Sequence, residues 1–192
     1  AGYLLGDLGS GFWLGHHAAI AVTAALEGRG PATALTRAVL ELVGVALTGE
    51  RATDGRPVSL QHFINAIYAM RPIELARFAP VVVAHRDDAV AAGLLAQAEQ
   101  YLVANFRHVF DPDMPGPVVL GGSVAAHLSG LPPAIADVLH AAGHKADIRL
   151  SGDGSVGAAV LALRQQGVSV DEAMLRHIAA SIAARAAGTV AG

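Results

Sequence analysis

The sequence contains no cysteine, and this absence excludes several kinds of chemistry at once. Disulfide bonds, thiolate nucleophiles, iron–sulfur clusters and cysteine-ligated zinc sites all need the missing thiol. Aromatic residues make up only 5% of the chain and charged residues 15%, whereas 53% of the residues are hydrophobic. A chain of 192 residues with this composition can bury a sizeable apolar core, so we expect one compact domain rather than a disordered chain.

An excess of positive charge is also lacking. The chain carries 13 Lys and Arg against 16 Asp and Glu, for a net charge of −3, and its basic residues do not cluster. This gives no electrostatic footprint for nucleic acid and no polybasic patch for a membrane surface. An uninterrupted apolar run of about 18 residues, which a membrane span needs, is absent as well. We therefore expect a cytoplasmic protein that binds neither nucleic acid nor membranes.

Hydrophobic periodicity predicts a chain that is mostly helical. Apolar residues recur at helical spacing, and the runs are bounded by capping residues, glycine or proline. In order, the predicted helices are Phe12 to Leu26, one capped by Thr33 and ending at Gly49, one capped by Ser59 and ending at Arg71, a short one from Pro72 to Phe78, and a long one from Asp87 or Asp88 to about Phe110.

The pattern changes after the long helix. Val118 to Leu120 is a short apolar run that ends on two glycines, and Ala146 to Ser151 is a second one. Such runs are typical of buried parallel strands. The stretch "PPAIADVLHAAG" between them predicts a helix, which gives a strand, helix, strand unit. Two further helices, Ser155 to Gln166 and Asp171 to Ala187, complete an α/β fold.

Two motifs suggest cofactors, and in both cases a structural role is favoured. "GDGSVG", Gly152 to Gly157, has the glycine spacing of a dinucleotide fingerprint, but that fingerprint needs a further strand ending in an acidic residue about 20 positions on. A tight turn before a helix fits better. The histidine pairs His16–His17 and His140–His144 lack a nearby carboxylate at the spacing of a zinc enzyme, so we favour structural histidines over a metal site.

Two glycine-rich segments remain, and we interpret each as the end of a strand: "GYLLGDLGSGFWLG" from Gly2 and "VVLGGSVA" from Val118. In this order they resemble motifs of the BadF-type ATPase and N-acetylglucosamine kinase family, within the actin-like ATPase superfamily. "RFAPVV", Arg77 to Val82, is similar to the segment before the long helix of that family. The resemblance implies the C-terminal lobe of an actin-like (ribonuclease H-like) sugar kinase fold, helix-rich with a short mixed sheet.

The resemblance also implies a site for a sugar and for ATP with Mg²⁺. An aspartate on a glycine-rich turn can approach a sugar hydroxyl without obstruction, and Asp7 is that residue. Trp13, by contrast, is expected to be a core anchor. The residues that the resemblance assigns are Gly2 and Asp7 to the sugar, Gly121, Gly122 and Ser123 to the adenosine and phosphates, and Ala79 and Gly154 to the neighbourhood of the nucleotide. It assigns no catalytic residue and no metal ligand.

Two departures limit these expectations. Leu8 stands where the family usually has glutamate, which leaves the sugar open. Kinases of this type also carry a D-x-G-x-T phosphate loop, an aspartate general base and a G-T-G-S loop, and this sequence contains none of them. Residues 1–192 are therefore expected to be most of a C-terminal lobe, incomplete at its N-terminus. The N-terminal lobe would be its partner, the isolated chain would be inactive, and a homodimer stays open. The alternative is a non-catalytic sugar- or nucleotide-binding regulatory module.

Overall fold

The computed structural model describes residues 2–151 and 154–189, and the chain divides into two compact units. The first comprises Ala1–Met114 and His127–His144, and the second comprises Pro115–Ala126 and Lys145–Gly192. The prediction of one domain over residues 1–192 stays a prediction beside this division. The division arises where three prolines and a glycine interrupt the chain after the long helix.

The first unit is built from helices. They are α1 (Gly2–Leu5), α2 (Gly11–Leu26), α3 (Leu35–Leu42), α4 (Val58–Tyr68), a 3₁₀ helix (Pro72–Phe78), α5 (Ala79–Ala84), α6 (Ala89–Val109) and α8 (Leu131–Ala141). Helix α2 is central and packs on α3, α4, α5, α6 and the 3₁₀ helix. Beyond Trp13 and Leu14, its buried face consists of small residues, Gly15, Ala18, Ala19 and Val22, which lets neighbouring helices approach closely.

The core of the first unit follows the predicted apolar stripes. Leu14, Val22, Phe63 and Phe78 are at most 1% exposed. Burying each such side chain contributes about 1.5–3 kcal/mol relative to leaving it in water. The predicted helices at Phe12 to Leu26, Pro72 to Phe78 and Asp88 to Phe110 are confirmed to within a residue or two.

The helix predicted from Thr33 to Gly49 is too long. Helix α3 ends at Leu42, and Gly44 follows with a positive φ of 70°. The Ser59 hydroxyl fixes the loop between α3 and α4. We predicted Ser59 as the cap of α4, but it lies inside that helix and is 1% exposed. Its hydroxyl donates a hydrogen bond to the carbonyl of Ala46 at 2.8 Å and accepts one from the amide of Thr48 at 2.9 Å.

The second unit contains the sheet. Strands β1 (Val118–Leu120) and β2 (Ile148–Leu150) pair in parallel, with Val118 opposite Ile148 and Leu120 opposite Leu150. Helices α9 (Gly154–Gln165) and α10 (Glu172–Thr189) pack on each other in the same unit. Both predicted strands are confirmed, and the sheet of the described residues is parallel rather than mixed. Helix α7 (Ser123–His127), which the sequence did not predict, follows β1.

No described helix is both long and apolar enough to cross a membrane.

Candidate functional site

The opening glycine-rich segment is a turn between two helices. Helix α1 ends at Leu5 and α2 begins at Gly11. Our prediction that the segment is the end of a strand is therefore wrong. Within the turn, the Asp7 carbonyl accepts a hydrogen bond from the Ser10 amide at 2.9 Å. The Ser10 side chain in turn accepts from the Trp13 amide at 3.2 Å and caps α2. The turn is thus tied to the start of a buried helix.

Asp7 has a backbone conformation that few residues adopt. Its φ is +56°, and it is the only non-glycine residue with a positive φ among those that the structure describes. Aspartate tolerates this region better than most residues, but glycine tolerates it best. The Asp7 side chain is exposed, and no described residue donates a hydrogen bond to its carboxylate. The turn therefore holds a carboxylate without a described partner at a position where glycine would be less strained.

Two glycines of the segment serve packing, a role that the sequence analysis missed. A Cβ atom on Gly9 would lie 2.8 Å from the carbonyl oxygen of Ala98 and 3.2 Å from Cγ of Leu102, both on α6. A Cβ atom on Gly15 would overlap the carbonyl oxygen of Leu75 in the 3₁₀ helix. These contacts fix the turn and the start of α2 against their neighbours, so the glycines position Asp7 indirectly.

Trp13 is a core residue, as the sequence predicted. It is 5% exposed, its ring stacks on that of His17 at 4.1 Å, and the edge of Tyr101 meets it at 5.4 Å. His17 also hydrogen-bonds the Trp13 carbonyl through Nδ1 at 2.9 Å. His17 is thus a structural histidine, in agreement with the interpretation that we favoured for this pair.

The other expected residues of the first unit differ in exposure. Gly2 is exposed, its φ is +67°, and a Cβ atom placed on it would meet no atom within 4 Å. Ala79 begins α5 and is only 7% exposed. A ligand could therefore reach Gly2 from a wide range of directions, but it could touch only a small edge of Ala79.

The expected nucleotide residues of the second unit surround the end of the sheet. Gly121 follows β1, and a Cβ atom on it would lie 3.5 Å from the Cβ of Ser151, directly after β2. Gly122 has a φ of +100° with open space in front of it, and Ser123 begins α7. Gly154 begins α9 and is exposed. The turn after β1 and the start of α9 thus both follow carboxyl ends of parallel strands, where α/β folds bind phosphate-bearing ligands.

The two units therefore divide the expected site. The first unit contains Gly2, Asp7 and Ala79, and the second contains Gly121, Gly122, Ser123 and Gly154. Gly152 and Asp153 of the "GDGSVG" motif lie outside the described residues. The roles of all seven site residues stay predictions.

The described side chains do not bring metal-ligating groups together. Among the residues described, no group of three or more His, Asp or Glu side chains is arranged to hold a metal ion. His140 lies in α8, but the helix ends at Ala141 and Gly143 has a φ of +78°, so His144 is not on the same helix. The edge of the His144 ring instead meets Phe110 at 5.4 Å.

No protein-family model and no curated protein sequence matches the chain. Solved structures do match it. A structure from Chromobacterium violaceum, described as a "Putative N-acetylglucosamine Kinase", shares 29% identity with a TM-score of 0.56 over 83% of this chain and 49% of that one. A structure from Porphyromonas gingivalis with the same description shares 23% identity with a TM-score of 0.52 over 87% of this chain and 52% of that one.

The chain spans about half the length of these structures. The likeness to the P. gingivalis structure, at 23% identity, concerns the fold alone. The C. violaceum structure shares the fold and also 29% sequence identity. Together they confirm the resemblance to the N-acetylglucosamine kinase family, and the chain has the helix-rich α/β fold expected for a C-terminal lobe of such a sugar kinase.

Proposed function

We propose that this chain is part of an ATP-dependent kinase that phosphorylates N-acetylglucosamine, glucosamine or a similar hexose, and that it supplies contacts to the sugar and to the adenosine. The observation that carries the proposal is the likeness to the kinase structure from C. violaceum over 83% of the chain. The Asp7 turn provides a chemical group suited to this function.

Asp7 suits a sugar because its carboxylate accepts hydrogen bonds and has no partner among the described residues. A carboxylate that accepts a hydrogen bond from a sugar hydroxyl forms a charge-assisted bond, which is stronger than a neutral one. The positive φ of Asp7 supports this assignment, since strained backbone geometry concentrates at functional sites. Asp7 would orient the sugar rather than take part in the chemistry.

The turn after β1 suits the nucleotide for a different reason. Gly122 has no Cβ atom and faces open space, so backbone groups of the turn can lie close to a ligand. In this proposal Gly121, Gly122 and Ser123 contact the phosphates and adenosine, and Gly154 and the edge of Ala79 lie near the base or ribose.

Magnesium has no assigned ligand among the residues that the structure describes. Mg²⁺ takes oxygen ligands, but the described residues offer no cluster of carboxylates for it. We therefore assign no magnesium ligand here and derive no step through the ion. Phosphoryl transfer also needs a base near the sugar hydroxyl, and the sequence motifs that would carry it were not found in residues 1–192. The proposed contribution of this chain is to bind and position, with the missing groups supplied by an N-terminal lobe.

Separate titrations test the proposal. N-acetylglucosamine and a non-hydrolysable ATP analogue are added in turn to the isotope-labelled chain, and the backbone amide shifts are followed by NMR. We expect the sugar to shift amides around Asp7 and the analogue to shift amides around Gly122, with mannitol as the control polyol. Saturating sugar that leaves residues 2–10 unchanged would contradict the sugar assignment.

A regulatory module that binds a ligand without catalysis is the second candidate, and Leu8 favours it. The side chain is 43% exposed beside Asp7 and cannot accept a hydrogen bond, although the family usually has glutamate there. ADP release distinguishes the two functions. A search of the coding DNA for an in-frame D-x-G-x-T before residue 1 identifies the protein to assay. Sugar-dependent ADP release by that longer protein supports the kinase, and ligand binding without release supports the module.

A further inference from the structure

A cavity of about 460 Å³ lies in the first unit, apart from the Asp7 turn. Helices α2 and α4 provide most of its lining, and Leu75 of the 3₁₀ helix also lines it. This volume is within the range of cavities that hold small ligands. None of the residues that the sequence analysis assigned to the sugar or nucleotide lines it.

The walls of the cavity are largely apolar. Ile20 is 50% exposed on α2, and the facing side of α4 presents Phe63 and Ile64. Phe63 is 1% exposed and belongs to the core, so it supports the wall from behind, and Ile20 and Ile64 offer more surface to a ligand. An aromatic or aliphatic ring placed there would remove the exposed part of Ile20 from water. Each Å² of apolar surface so covered contributes about 25 cal/mol.

Polar groups lie at the edge of the cavity and have capacity to spare. The His16 ring stacks on Phe12 at 5.7 Å, and neither of its ring nitrogens has a hydrogen-bond partner among the described residues. Tyr68, on α4, is 86% exposed. The Thr23 hydroxyl donates to the Ala19 carbonyl at 2.9 Å, which leaves its oxygen free to accept. These groups can bond a hydroxyl or carbonyl on a bound molecule.

The charges around the cavity cancel. Arg29 lines it, but the Arg29 guanidinium is paired with the carboxylate of Glu27. Partial burial, and secondarily the neighbouring His17, lowers the pKa of His16, so its imidazole is neutral at pH 7. An anionic ligand would find no net positive charge here, because Glu27 already neutralises Arg29, whereas an uncharged ligand needs none. The lining is therefore complementary to an uncharged molecule.

We propose that this cavity is a binding site for an uncharged small molecule with an apolar ring and a single hydroxyl or carbonyl, seated between Ile20 and Ile64 with its polar atom toward His16. The inference is independent of the kinase proposal, because it concerns different residues and a different class of ligand.

The probes that test it are 4-methylphenol and 4-methylbenzoate, which share one ring and differ in charge. Each is titrated into the isotope-labelled chain. We expect saturable amide shifts from 4-methylphenol at residues 16–23 and 63–68, and at least about tenfold weaker binding of 4-methylbenzoate, because it places a charge in an apolar cavity. Shifts that do not saturate, or that lie elsewhere, would overturn the site; equal or tighter binding of the benzoate would overturn the ligand class.

Two variants locate the molecule within the cavity. Ile20→Glu introduces a charge on the wall at an exposed position and should weaken 4-methylphenol about tenfold, whereas Leu42→Glu, at a similarly exposed position on α3, should not. His16→Phe keeps the stacking on Phe12 but removes the hydrogen bond. It should weaken 4-methylphenol about three- to tenfold and leave toluene unchanged. An Ile20→Glu variant that binds as the unmodified chain does would exclude this cavity.

Discussion

Thr33 and Asp88 lie far apart in the sequence, yet the Thr33 hydroxyl donates a hydrogen bond of 2.8 Å to the Asp88 carboxylate. The same carboxylate accepts from the Ala34 amide at 2.9 Å, beside the start of α3. It also accepts from the amides of Val90 and Ala91 at 3.0 and 3.1 Å, which caps α6. One side chain therefore satisfies the first turn of the long helix and fixes the beginning of another.

Replacing Asp88 should destabilise the first unit. Asp88→Ala removes the cap of α6 together with the bonds to Thr33 and Ala34, and we expect the free energy of unfolding to fall by about 2–3 kcal/mol. Chemical denaturation followed by circular dichroism measures the change. Asp87→Ala is the matched control, because Asp87 is exposed and has no hydrogen-bond partner among the described residues. Equal effects of the two substitutions would contradict the capping role.

The contribution of Asp88 should depend on pH. Desolvation alone would raise the pKa of the Asp88 carboxyl, but hydrogen bonds from Ala34, Ala91, Thr33 and Val90 together outweigh it and hold the pKa below its ordinary value. A lowered pKa in the folded state stabilises the protein above the unfolded value of about 3.9, and the stabilisation is lost as pH falls through the folded value.

Asp88→Asn tests this dependence. The stability difference between the unmodified chain and Asp88→Asn should be largest at neutral pH and should shrink below pH about 4. Urea denaturation at neutral pH and at pH about 3 provides the comparison. A difference that stays constant over this range would show that the carboxylate charge is not what stabilises the two helix ends.

The role of Asp88 was only partly predictable from the sequence, because local patterns indicate helix caps but not contacts between distant residues. Local signals placed a helix start at Asp87 or Asp88, because an aspartate before an apolar periodic run is typical of an N-cap. The bond to Thr33 was not predictable, since nothing in the local pattern joins two positions so distant in the chain. Ser59 shows the same limit: as a local signal it predicted a cap, but its hydroxyl instead bonds Ala46 and Thr48 across a loop.

The glycine-rich turn before α2 was predictable in its position but not in its backbone conformation. The glycine-rich segment before Phe12 is plain in the sequence, whereas the prediction of a strand before it is wrong, because Gly2–Leu5 form the short helix α1. Four residues carry too little periodicity to distinguish helix from strand. The division of the expected site between two units could not be foreseen either, because contacts among distant segments decide where a unit ends.

Gly15 should not tolerate even a methyl group. An added Cβ atom would overlap the carbonyl oxygen of Leu75 and approach its carbonyl carbon to 2.7 Å, so α2 or the 3₁₀ helix would have to move. We expect Gly15→Ala to destabilise the chain by about 1–3 kcal/mol, as overpacking does. Gly93→Ala is the control, because Gly93 lies inside α6 with no atom within 4 Å of an added Cβ.

Gly93→Ala should instead stabilise the chain by about 0.5–1 kcal/mol, the usual preference for alanine in a helix interior. Midpoints of urea denaturation for the two variants give the comparison directly. We expect the two substitutions to change the free energy of unfolding in opposite directions. If Gly15→Ala were as stable as Gly93→Ala, the close approach of α2 to Leu75 would be wrong.

Asp7 should separate stability from sugar binding. Asp7→Gly relieves the positive φ, so we expect stability to be unchanged or to rise by up to about 1 kcal/mol. The same change removes the carboxylate, and the affinity for N-acetylglucosamine should fall about ten- to hundredfold, which corresponds to about 1.5–3 kcal/mol. Asparagine also tolerates this backbone region, and Asp7→Asn should likewise bind N-acetylglucosamine weakly. Calorimetry with the sugar measures both variants.

These two effects have opposite signs, so misfolding cannot imitate the expected result. A stable Asp7→Gly variant with undiminished sugar affinity would show that the turn is structural and would remove Asp7 from the site. The affinity for an ATP analogue serves as the internal control, and it should change little in either variant.

Gly122 should affect the nucleotide and not the sugar. Gly122→Val places a β-branched side chain in the open space after β1 and forces a φ of +100° on a residue that disfavours it. We expect at least about tenfold weaker binding of a non-hydrolysable ATP analogue. Gly116→Val is the matched control, because Gly116 lies in the same unit, has a φ of +118° and also faces open space. Both substitutions strain the backbone, so weakened binding in Gly122→Val alone identifies the turn as a nucleotide contact, whereas an equal loss in both would attribute it to strain.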